Sequence, residues 1–179
     1  ENIPDEAVLF IGNHRSYFDI VLTYSRCKRL TGYIAKKEVQ KVPFLSVWMQ
    51  YLYCLFLDRE NAKEGLKTIL KAIEYVKNGI SIFIFPEGTR NKGEELSLLP
   101  FKDGAFRIAT KTGCPIVPVS LNNTADILEN HFPHIKKTHV VIEYGKPIYP
   151  NELDAETKKH IGAYVQNIVQ ETINKNAEI

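Results

Sequence analysis

Short apolar runs rich in β-branched residues recur through this chain, at 7–12, 32–35, 53–57, 81–85, 116–121 and 139–144, and read as strands. Stretches of helical period fall between them, at 19–28, 44–51, 62–77 and 104–112, and a last helix is expected from about 155 to 174. Strands joined through helices pair in parallel, because a tight turn cannot carry the chain to a parallel neighbour. The expected class is therefore α/β, with a mostly parallel central sheet flanked by helices. At 179 residues the chain should form a single domain, 1–179, with a sizeable core. Leu66, Ile69, Leu70, Ile73 and Val76 make an apolar stripe of helical period that Asn78-Gly79 ends. Ile161, Val165, Ile168 and Val169 make a second one. Both stripes are expected to face the core.

In parallel sheets ligands sit beyond the carboxyl ends of the strands. Four expected strands carry a polar residue at that end: His14, Lys36, Arg59 and Arg90. His14 opens the segment Asn13-His14-Arg15-Ser16-Tyr17-Phe18-Asp19. Imidazole titrates near neutral pH and accepts a proton from a hydroxyl, and a carboxylate beside it fixes the tautomer. Five residues rotate a helical side chain by about 140°. The pair therefore meets only if His14 lies in the loop and Asp19 in the first helical turn. Two structural alternatives stand beside catalysis: Ser16-x-x-Asp19 fits a capping box, and His14 fits a hydrogen-bonded loop residue.

Phe85-Pro86-Glu87-Gly88-Thr89-Arg90 follows another strand. Glycine permits a tight turn, backbone N–H groups and the Thr89 hydroxyl donate, and arginine grips a phosphate with two bonds. A polar turn with a solvated arginine is the alternative. No P-loop pattern is present, which argues against nucleotide hydrolysis. Lys36, Lys37, Lys41 and Arg59 are a solvated face by default, and an anion site only if they converge. Segment 42–57 is apolar but broken by Pro43, Ser46 and Gln50, and is shorter than the ~20 residues that span a bilayer. Phe44, Leu45, Val47, Trp48, Met49, Tyr51 and Leu52 read as core, with an acyl-chain groove or membrane-facing patch as the alternative.

A formal net charge of +2, with no basic tract interleaved with aromatics, excludes nucleic acid as the expected partner. Cys27, Cys54 and Cys114 are odd in number and widely spaced in apolar surroundings. They read as buried thiols in a reducing compartment, not as zinc ligands or redox pairs.

Taken in order, four blocks make the chain resemble the glycerolipid acyltransferase family, and within it the 1-acyl-sn-glycerol-3-phosphate acyltransferases. They are Asn13-His14-x-x-x-x-Asp19; Ala35-Lys36-Lys37-Glu38 with Pro43 and Phe56-Leu57-Asp58-Arg59; Phe85-Pro86-Glu87-Gly88-Thr89-Arg90; and Ile116-Val117-Pro118-Val119. Pro100-Phe101-Lys102-x-Gly104-Ala105-Phe106 leads into the fourth, and the likeness spans 7–145. Asn91, Ser46 and Tyr53 stand where the family often has Ser, Gly and Gly.

The resemblance implies a glycerol-3-phosphate acyltransferase-like fold and transfer of an acyl group from acyl-CoA or acyl-carrier protein to a lysophospholipid hydroxyl. His14 would be the base and Asp19 its orienter. Arg90, Arg59 and Lys36 would hold the acceptor phosphate in a pocket shaped by Glu87, Gly88 and Thr89. No metal or other cofactor is implied, acyl-CoA or acyl-carrier protein serving as cosubstrate. A membrane-associated enzyme at the cytoplasmic face is expected. The chain starts at Glu1-Asn2 without an initiator methionine, so a membrane-associated segment is expected upstream. A hydrolase on the same scaffold would want a Gly-x-Ser-x-Gly elbow, which this chain lacks. The remaining alternatives are acylation of another acceptor, glycerol 3-phosphate or another lysolipid, and a non-catalytic lipid-binding module.

Overall fold

The computed structural model describes residues 3–179; Glu1 and Asn2, on which the expectation about the chain's start rests, lie outside them. Six strands form one sheet: β1 (Leu9–Gly12), β2 (Thr31–Lys36), β3 (Leu55–Leu57), β4 (Ser81–Ile84), β5 (Ile116–Asn122) and β6 (Val141–Tyr144). Their order is β3-β2-β4-β1-β5-β6, parallel throughout except for β6, which pairs antiparallel with β5. The expected mostly parallel sheet is thus what forms. β1 lies at its centre, with Leu9 opposite Ile82 on one side and Ile116 on the other.

Six helices connect and cover the strands: α1 (Phe18–Tyr24), α2 (Leu45–Tyr51), α3 (Ala62–Lys77), α4 (Arg107–Thr112), α5 (Ala155–Lys159) and α6 (Ile161–Asn176). Alternate residues of each central strand serve different cores. Leu9, Ile11, Ile82 and Ile84 pack with Ile69, Ala72 and Val76 of α3, Ile108 of α4, and Val165 and Val169 of α6. Val8, Phe10, Phe83 and Phe85 pack on the other face with Tyr33, Val117 and Met49 of α2. Strands buried on both faces need apolar residues at every position, which is why they read as continuous runs.

Several boundaries differ from expectation for local reasons. α1 stops at Tyr24 because Arg26 and Cys27 N–H groups bond to carbonyls three residues back, on Thr23 and Tyr24. The helix expected over 104–112 starts as a 3₁₀ turn, Asp103–Phe106, and ends at Gly113 with φ 78°. The last helix is two helices that meet at His160, the first capped by Asp154. In α3, Ile69 and Val76 are buried, but Leu66 and Leu70 are about half exposed, so that stripe only partly faces the core. The core assignment of segment 44–52 needs correction: Met49 is buried, whereas Phe44, Leu45, Val47, Trp48 and Tyr51 are exposed. Among the described residues no helix is long and apolar enough to cross a membrane. Cys54 and Cys114 are buried and Cys27 half-buried, all three free, and burial pushes each thiol up.

Candidate active site

β1 and β4 are parallel neighbours, so the loops that follow them leave the same sheet edge side by side. Asn13 anchors the first loop. Its buried amide donates to the Leu121 carbonyl at 2.9 Å and accepts from the Leu121 N–H at 2.8 Å. One side chain thereby continues the pairing of β1 with β5 for a further residue while the backbone turns away.

His14 follows at the mouth of β1. Its Nδ1 lies 2.8 Å from Oδ2 of the fully buried Asp19. That same oxygen accepts the backbone N–H groups of Arg15 at 2.7 Å and Ser16 at 2.8 Å. An oxygen already accepting two N–H bonds has no proton to give, so the imidazole donates through Nδ1, and in the neutral ring the lone pair is then on Nε2. The ring stacks on Phe85, with centroids 4.3 Å apart and planes at 17°. Ser16 Oγ accepts from the Phe18 N–H at 3.0 Å. Only the Asp19 half of the expected capping box forms, through the Ser16 N–H, since the helix begins after Tyr17 with no side-chain cap; it shares its carboxylate oxygen with His14.

Glu87 ties the two loops together. One carboxylate oxygen accepts the His14 N–H at 2.7 Å and the other the Leu99 N–H at 2.8 Å. The Asn91 N–H in turn donates to the His14 carbonyl at 2.7 Å. Burial pushes the Glu87 carboxyl up, against those two backbone bonds. Glu87 was expected among the residues lining a phosphate pocket; its buried carboxylate is spent on backbone donors and holds His14 in place. Gly88, with φ 77°, takes a conformation that suits glycine. Thr89 is exposed.

The cations expected to converge are divided between two clefts. Arg59 and Gly88 line the first, of about 230 Å³, together with Lys102 and Arg107. A methyl group added to Gly88 would sit 2.9 Å from Lys102 Nζ and 3.5 Å from Arg59 Nη1, so both cations lie directly over this backbone. Neither pairs with a carboxylate within 4 Å among the described residues, and burial draws the Arg59 guanidinium down. The inner walls are apolar, formed by Ile34, Leu57, Leu66, Ile69 and Ile84. Arg90 lines the second cleft, of about 570 Å³, with Arg15 and Lys92. It pairs with Glu129 at 3.1 Å and stacks 3.7 Å above the Tyr17 ring. Lys36 is exposed and pairs with Glu38 at 2.9 Å.

Two further residues of this site, Glu129 and Lys102, are not among the expected ligands. Glu129, in a 3₁₀ turn after β5 (Glu129–His131), accepts from Ser16 Oγ at 2.7 Å and the Tyr17 N–H at 2.8 Å, besides Arg90. Burial opposes its charge, but these bonds outweigh burial and hold its carboxyl below the ordinary value. Lys102 was visible only as part of Pro100-Phe101-Lys102. Its backbone N–H bonds to the Pro86 carbonyl, which sets it beside the Gly88 turn. Among the described residues, no group of three His, Cys, Asp or Glu side chains is placed to hold a metal ion.

Known proteins resemble this chain in sequence and in fold. The acyltransferase family model matches residues 1–122. The 1-acyl-sn-glycerol-3-phosphate acyltransferase of Saccharomyces cerevisiae is 33% identical over 180 residues, which cover 100% of this chain and 58% of that protein. The enzyme of the same name from Haemophilus influenzae is 31% identical over 167 residues, covering 92% of this chain and 68% of that protein. A chloroplastic relative from Brassica napus is 35% identical over 159 residues, covering 86% of this chain but 45% of its own length. The chain thus spans about half to two thirds of these relatives. The crystal structure of the 1-acyl-sn-glycerophosphate (LPA) acyltransferase, PlsC, from Thermotoga maritima superimposes with a TM-score of 0.83 at 29% identity, over 98% of this chain and 69% of that one.

Proposed function

The chain belongs to the acyltransferase family, and from that premise we propose that it transfers a fatty acyl group from an acyl thioester to the free hydroxyl of 1-acyl-glycerol-3-phosphate, giving phosphatidic acid. His14 Nε2 takes the hydroxyl proton as the oxygen attacks the thioester carbonyl. Asp19, fixed on Nδ1–H, holds the tautomer and stabilises the imidazolium. The carbon–sulfur bond then breaks as the ester forms, and the proton on Nε2 passes to the departing thiolate. No acyl-enzyme intermediate and no cofactor is needed. The reading is carried by the histidine–aspartate pair, with His14 Nδ1 2.8 Å from Asp19 Oδ2, tied through Glu87 to the turn whose Gly88 lies under Arg59 and Lys102.

The first cleft suits an amphiphile. Arg59 and Lys102 would receive the phosphate, and the apolar walls the acyl chain. Arg90 and Lys36 join as ligands if the phosphate displaces the carboxylates that hold them, Glu129 and Glu38. Acyl-CoA and acyl-carrier protein both supply the required thioester. The enzyme would work at a membrane surface, on its cytoplasmic face, where lysolipid is found.

An acyl-transfer assay with a thioester donor tests the assignment. Lysophosphatidate should be the best acceptor, ahead of glycerol 3-phosphate. Thioester loss to water alone would mean a thioesterase, and no turnover a binding module. His14→Ala should lower turnover by roughly 10²–10⁴-fold at an unchanged melting temperature; near-normal activity in that variant would sink the mechanism.

A further inference from the structure

The side of α2 that points away from the sheet is apolar. Phe44 is 89% exposed, Val47 53%, Trp48 56% and Tyr51 80%. They recur at the i, i+3, i+4, i+7 spacing and so make one stripe. Ser46 and Met49, on the opposite side of the helix, are buried. A surface helix ordinarily turns its polar side to water; this one is inverted. Phe44 has φ 61°, a conformation L-residues rarely adopt, so the fold accepts local strain while its phenyl ring projects into solvent. Val42 and Leu45, also exposed, widen the patch.

The setting selects among partners. α2 follows the 3₁₀ turn Lys37–Lys41, which leaves β2 at the sheet edge that also carries His14 and Arg59. That rim is basic. Lys36 and Lys37 are exposed and answered by Glu38 and Asp58, whereas Lys41 and Arg59 pair with no carboxylate within 4 Å among the described residues. Exposed aromatic rings bordered by the uncompensated Lys41 match the boundary between lipid headgroups and acyl chains in an anionic bilayer.

We propose that the outer face of α2 seats the protein on an anionic lipid surface, with Phe44, Trp48 and Tyr51 at the headgroup boundary and Lys41 among lipid phosphates. The benefit to catalysis rests on the lysolipid acceptor proposed above, because this seat sets the His14 edge beside the source of that substrate. The seat itself is testable without turnover.

Trp48 is the single tryptophan, so its emission reports the patch alone. Vesicles of phosphatidylcholine with about a third phosphatidylglycerol should shift that emission to the blue and sediment with the protein, and salt should weaken both effects. Vesicles of phosphatidylcholine alone should do much less. The double variant Phe44→Ser with Tyr51→Ser, and separately Lys41→Glu, keep the reporter and should bind at least about tenfold more weakly. Both should turn over a short-chain lysophosphatidate, dissolved below its micelle concentration, at the wild-type rate. Vesicle binding without turnover of that soluble acceptor would uphold the surface and overturn the acceptor. Three results would overturn the surface: no emission shift with anionic vesicles, undiminished binding by the variants, or an emission shift that follows protein dimerisation without lipid.

Discussion

Asp19 Oδ2 accepts three N–H groups at 2.7–2.8 Å, from His14, Arg15 and Ser16. A single atom thus folds the loop and holds the imidazole. Residue types made His14, Asp19, Glu87 and Gly88 legible as candidates, because base, carboxylate and turn-forming glycine lie within short segments. Glu129 was not legible: Ser16 lies 113 positions away, and nothing in its immediate neighbours marks it. It holds Ser16, Tyr17 and Arg90 at once, so Glu129→Gln should raise the acceptor KM more than it lowers kcat. The same variant has a pH signature. The Glu129 carboxyl sits below its ordinary value of about 4.3 when folded. Its stabilisation is then fully present above that pH and is lost as pH falls through the folded value. Melting temperatures of wild type and Glu129→Gln should therefore differ at pH 6 and draw together toward pH 3. A gap that stays constant over that range would remove the carboxylate from the account.

Elements were predicted well where periodicity is local, and less well where a tertiary contact decides. The six strands fall near their expected places, because each is a self-contained apolar run. The termini moved where the chain changes bonding partner, as after Tyr24, or where a second helix starts, as at His160. α2 shows the clearest limit: its apolar content spoke for core, but only the packing of Met49 and Ser46 against the sheet side reveals which face is inward. The approach of β2 to Tyr53, two residues before β3, gives a test of close packing. A Cβ added to Gly32 would lie 2.1 Å from the Tyr53 carbonyl oxygen, and Tyr53 itself has φ 58°. Backbone cannot swing aside as a side-chain tip does. Gly32→Ala should cost about 1–3 kcal/mol or more, read as a lower urea midpoint; an unchanged midpoint would mean that the strands separate easily.

For the whole molecule, the sheet order brings together loops that are remote in sequence. β1 and β4 are adjacent although about seventy residues separate them, so His14 and Glu87 bond directly. The net charge of +2 conceals this local concentration of cations. Exposed charges are screened within ~8 Å at physiological salt, while half-buried ones are screened less. The kcat/KM for an anionic lysolipid should fall as salt rises, and Arg59→Ala combined with Lys102→Ala should flatten that fall while raising KM. A salt dependence equal to wild type in that double variant would remove the first cleft from phosphate binding.

The sequence by itself determined the α/β class, the strand segments and the chemical kinds of residue at their carboxyl ends, because apolar period, turn chemistry and residue type are encoded among near neighbours. The tertiary structure alone decided which polar atoms meet. It paired Glu87 with the backbone of His14, parted Arg90 from Arg59, recruited Glu129 and Lys102, and turned the apolar side of α2 outward. Those outcomes depend on strand order and crossovers, which set distances between groups that no local pattern relates.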